Sequence, residues 1–161
     1  MSVALGTAAL PSAERGWLLA AGWALTAMIV VHDLDHMRQA RNWCYTIPPS
    51  VLLVNVLVYV PGLASILMAW RRRRSAALAS AAAGVLIATA FAKVHLWKPF
   101  FPVWGIWNRS FLILDVDALT WWILTATVLT GVSVSMVGAY VFGRLAVGSR
   151  PDPGRSAARE P

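Results

Sequence analysis

Apolar and polar residues follow one another in long blocks along this chain, not in the short periods of a soluble domain. Apolar runs cover Gly16–Val31, Ile47–Trp70, Ser75–Ala92 and Ala118–Phe142. A membrane-crossing helix needs roughly 20 apolar residues to traverse about 30 Å of hydrocarbon. The second and fourth runs meet that length, with room for tilt. The first has 16 residues and the third 18. At a 1.5 Å rise these reach only about 24 and 27 Å, so both helices must continue into the polar residues that follow. The pattern predicts an all-α integral membrane protein, a bundle of four transmembrane helices over about 16–38, 47–70, 75–97 and 116–143. They form one membrane domain, 1–146, followed by a disordered cytoplasmic tail, 147–161, rich in Pro, Gly, Ser and Arg. Pro61-Gly62 predicts a kink in the second span.

Composition narrows the class. The chain is 58% hydrophobic and 13% charged, where soluble domains carry about 25% charged residues. A net charge of +7 would suggest nucleic acid only if it formed a basic face on a polar domain. Here the arginines sit between apolar runs, so no nucleic-acid partner is expected. The lone cysteine, Cys44, excludes an internal disulfide. The first 14 residues hold no Lys or Arg, so the first run lacks the basic start of a cleaved signal and reads as a retained helix.

Charge also orients the bundle. Arg15, Arg71–Arg74, Arg144, Arg150, Arg155 and Arg159 fall on one side, and Arg38, Arg41, Lys93, Lys98 and Arg109 on the other. Nine basic residues against five place both termini in the cytoplasm of a multi-pass plasma (inner) membrane protein. Anionic lipid head groups are an alternative partner for the arginine run. Trp43, Trp97, Trp104, Trp107, Trp121 and Trp122 gather toward the outer side, as an interfacial belt does.

The candidate chemistry lies at that outer edge. "VVHDLDHMRQ" puts His32, Asp33, Asp35 and His36 at the end of the first span. Lys93 and His95 arrive at the same level on the third span, and Asp115 and Asp117 open the fourth. Ionisable groups at membrane depth usually face the bundle interior or a wet cavity. His32 and His36, four residues apart, share a helix face that Gln39 continues, whereas Asp33 points about 100° away. Paired histidines at this spacing hold metals in HExxH helices, but the glutamate base is missing here. His95 supplies a third ligand, and Asp35, Asp115 or Asp117 a fourth, with Asp117 the choice made here. Such a set suits zinc, iron or copper. Asp33 or Asp35 would orient a histidine or act as base, and Lys93 would stabilise developing negative charge.

Structural roles compete for the same residues. Lys93 is expected to pair with Asp33, Asp35 or Asp117 across helices, and Asp115 to cap the fourth span while Asp117 favours its dipole. Asn55 and Tyr59 share a face of the second span and suit helix–helix hydrogen bonds. The leading functional expectation is a metal-dependent membrane enzyme that takes a lipid-like or amphipathic substrate from the bilayer. Two alternatives stand beside it. One is a single-haem b electron-transfer protein, ligated by His32 or His36 with His95. The other is a non-catalytic accessory subunit of a membrane complex. Expected partners are membrane lipids, a second copy or another membrane subunit.

Overall fold

The computed structural model describes residues 9–42, 46–47, 49–97 and 110–147. Expectations for Trp43, Cys44, Lys98, Trp104, Trp107, Arg109 and the tail from 148 on lie outside the described residues. Those described fold into α1 (Ser12–Asn42), α2 (Pro49–Trp70), α3 (Ala76–Leu96), α4 (Ser110–Leu114) and α5 (Ala118–Val147). All but α4 are long and apolar enough to cross a membrane. α1 runs unbroken through "HDLDH" to Asn42, as the shortness of its apolar run requires. α4 was not expected from the pattern.

The bundle closes as α1 against α2 and α5, and α3 against α2 and α5, with α3 on α5 the broadest contact. Two features tie the end that carries both ends of the described chain. The Leu10 amide donates to the Arg72 carbonyl across 2.7 Å. Arg144 lies 3.4 Å from the Glu14 carboxylate. The far end holds the polar residues.

Between these ends, burial follows a coiled-coil seam. On α1 it takes Leu18, Gly22, Leu25, Ile29, His32, His36 and Gln39, alternating by four and three as packed helices do. On α5 it takes Thr120, Leu124, Thr127, Gly131, Val134, Gly138, Val141 and Leu145. The outward faces are apolar as well, with Leu34, Met37, Trp122, Leu129 and Met136 all exposed. The helices therefore do not associate by hiding apolar surface from water. Close packing and interhelical hydrogen bonds must hold them. α3 and α5 meet through small residues: a Cβ on Gly84 would overlap the Gly131 carbonyl, and one on Gly138 would overlap the Ala81 amide. α2 passes through Pro61 as one helix.

Candidate metal centre

The α1 seam turns polar at its far end without changing period. One register thus carries Leu25 and Ile29 into the core, then His32 and His36 beside them. α3 does the same, with Ile87 and Phe91 followed by His95. Because α1 and α3 share the bundle interior, the three imidazoles converge. His32, His36 and His95 are 2%, 6% and 2% exposed. Each offers a ring nitrogen, and these nitrogens lie within 4.8 Å of one another. His32 Nε2 and His95 Nε2 lie 2.8 Å apart.

Aromatic rings fix the imidazoles in place. The His32 and His95 rings are nearly parallel, with centroids 4.9 Å apart. Phe91 stands edge-on to His32 at 4.5 Å, and Phe111 of α4 stacks on His95 at 4.6 Å. Phe111 in turn meets Trp121 edge-on at 5.3 Å. α4 thereby covers the cluster from the far end of the bundle. On the α5 side, the Thr127 hydroxyl lies 3.3 Å from His32 Nδ1.

The expected acids are placed elsewhere. Among the described residues, the ligand-type groups that draw together are the three histidines. Asp117, expected as a metal ligand, is instead gripped by Arg38, whose Nη1 and Nη2 donate to its two oxygens across 2.7 and 3.0 Å. Asp117 also accepts the Thr120 amide at 3.0 Å, so it is the cap of α5. Asp115, expected in that role, sits two residues earlier in a left-handed conformation, φ 49°. These bonds hold the Asp117 carboxyl well below the usual carboxylate range, the Arg38 guanidinium contributing most and the Thr120 amide next.

Asp35 is saturated. Arg38 Nε donates to one oxygen at 2.7 Å. Gln39 Nε2 and Thr120 Oγ1 each donate to the other at 2.8 Å. Asp33 faces α2 and accepts the Tyr59 hydroxyl at 2.6 Å, in keeping with its 100° offset from His32. Tyr59 thus makes the helix–helix bond expected of it, with an acid expected to be catalytic. Lys93 lies two residues before His95, about 200° around α3, and the cation that the structure sets on Asp35 and Asp117 is Arg38. Sequence reasoning named Arg38 but not as the partner of these acids, and it passed over Thr120, Thr127 and Phe111. Thr120 and Thr127 carried a readable signal, since they stand seven apart and continue the α5 seam.

Comparison of the chain with protein-family models, curated proteins and solved structures finds no match. The functional reading therefore rests on the cluster's own chemistry.

Proposed function

We propose that this chain is a metal-dependent membrane enzyme whose ion is held by His32, His36 and His95 and whose substrate is lipid-like. The convergence of three buried imidazoles from two helices is the observation that carries this reading. Nitrogens about 2.0–2.1 Å from a tetrahedral ion are about 3.3 Å from each other. The observed spread, from 2.8 Å to at most 4.8 Å, brackets that value. Side-chain rotations close the difference. Three neutral nitrogen ligands with an open position suit zinc, iron or copper. The ion would polarise a substrate oxygen or activate water or dioxygen, according to its identity.

The chain's own residues have separable tasks in this reading. Arg38, Asp35, Gln39 and Thr120 brace α1 against α5, so that His32 and His36 keep their aim. Asp33, turned to α2, braces α1 against it by accepting the Tyr59 hydroxyl. Lys93 supplies positive charge at that level. The positive-inside asymmetry puts the centre at the extracytoplasmic side of the plasma membrane. An amphipathic substrate would reach it sideways from the bilayer.

A haem ligated by His32 and His95 would need its iron and ring plane between two nitrogens that stand 2.8 Å apart, which disfavours that pairing. Elemental analysis and an absorption spectrum of the protein, purified in detergent without chelators, test the proposal. One transition-metal ion per chain, lost in His95→Ala, is the expected result. A metal-free protein that also takes up no added ion would defeat it. A Soret band would replace it with the haem reading.

A further inference from the structure

The metal reading leaves open how His32 comes to present Nε2, and not Nδ1, to its neighbours. Neutral imidazole carries one proton, on either nitrogen, and only the bare nitrogen can ligate. Thr127 decides between them. A threonine hydroxyl has one proton to give and two lone pairs to accept with. Thr127 Oγ1 lies 2.7 Å from the Ile123 carbonyl on its own helix. A carbonyl only accepts, so the hydroxyl proton is committed there. Toward His32 Nδ1, at 3.3 Å, the Thr127 oxygen has only a lone pair left. Nδ1 must then be the protonated nitrogen.

We propose that Thr127 is a positioning residue that fixes His32 as the Nδ1–H tautomer, so that its Nε2 lone pair is a ligand atom before any ion arrives. The proposal rests on the metal reading for its purpose but not for its geometry. It also accounts for the short His32–His95 contact. With Nε2 of His32 bare, Nε2–H of His95 donates to it across 2.8 Å. An ion that ligates both nitrogens takes the place of that proton, and His95 then carries its own on Nδ1. The site is thus held closed by a hydrogen bond along the line where an ion would bind. Hydrogen bonds to the far nitrogen of a ligating histidine typically account for 10–100-fold in metal affinity.

Two measurements on the full chain in detergent test this. The first is nitrogen NMR of ring-labelled, metal-free protein, with His32 assigned by its loss in His32→Gln. The expected signature is a protonated Nδ1 and a bare Nε2. A His32 protonated on Nε2 would overturn the proposal without any variant. The second is a cobalt(II) titration followed by visible absorption. Thr127→Val, which keeps shape and removes the hydroxyl, should lose both the Nδ1–H signature and at least about tenfold in affinity. Thr127→Ser should restore both. Unchanged affinity in a helical, monodisperse Thr127→Val would overturn the positioning role. Failure of the wild type to bind cobalt(II) or zinc(II), with the Nδ1–H signature present, would overturn the metal centre and the ligand role together. The tautomer assignment would survive that outcome, so the two failures are distinguishable.

Discussion

Removing the Arg38 guanidinium would strand Asp35, which is 5% exposed, without its cation. Breaking a buried pair from one side costs roughly 3–5 kcal/mol when burial is complete. Arg38 is itself partly exposed, so Arg38→Ala should cost about 2–3 kcal/mol in thermal or denaturant unfolding. Arg38→Lys should recover little, because one ammonium cannot serve Asp35 through Nε and Asp117 through two further donors at once. The Asp117 carboxyl makes a pH prediction. Its folded value lies below the ordinary 3.8, so its contribution is complete above that pH and fades as pH falls below it. Unfolding midpoints of wild type and Asp117→Asn should therefore differ at pH 6 and draw together as pH drops below about 4. A gap that stays constant to pH 2 would break the link to Arg38. At this scale the sequence was partly legible. The i, i+4 spacing and the rise per residue set three histidines at one depth. Arg38 answers Asp35 through the i, i+3 spacing of α1 itself, but that it also grips Asp117 depends on how α1 and α5 are rotated against each other, which no local pattern records.

Among the helices, the α3–α5 seam carries the closest approach. Gly138→Ala forces a Cβ onto the backbone of Ala81, and the helices must separate. Such overpacking typically costs about 1–3 kcal/mol. Gly143→Ala, on the same helix, meets nothing within 4 Å and should be neutral or stabilising by up to about 1 kcal/mol. Comparing the two by thermal unfolding in detergent separates helix contact from glycine propensity. Equal effects would mean that the seam is not under this constraint. The seam's period was present in the sequence of α1, as Leu18, Gly22, Leu25, Ile29, His32, His36 and Gln39, yet hydrophobicity alone conceals it. In a bilayer the outward face is as apolar as the inward one, so the usual contrast between faces disappears. Size and polarity remain as signals, and both mark the seam here.

For the whole molecule, orientation decides which side of the membrane carries the histidine centre. Four long helices place the first and last described residues and the turn at Arg71–Arg74 at one end. Nine basic residues against five should hold that end in the cytoplasm. An impermeant thiol reagent added to intact cells, on a background without Cys44, should spare Ser75→Cys and label Ser110→Cys. The reverse pattern would move the histidine centre to the cytoplasmic side. The sequence by itself determined the number of long helices and their approximate ends, and so which end of the bundle carries the histidines. Each follows from chain length against bilayer thickness, a one-dimensional constraint. It also showed that His32 and His36 share a face, because helical periodicity is local. Only the tertiary structure decided which groups meet across helices. It joined His32 to His95 and to Thr127, gave Asp117 to Arg38, and turned Asp33 toward Tyr59. Those choices depend on the rotation and pairing of whole helices, set by the fit of small residues along their seams. Contacts of this kind join positions 26 to 95 residues apart, beyond the reach of any pattern along the chain.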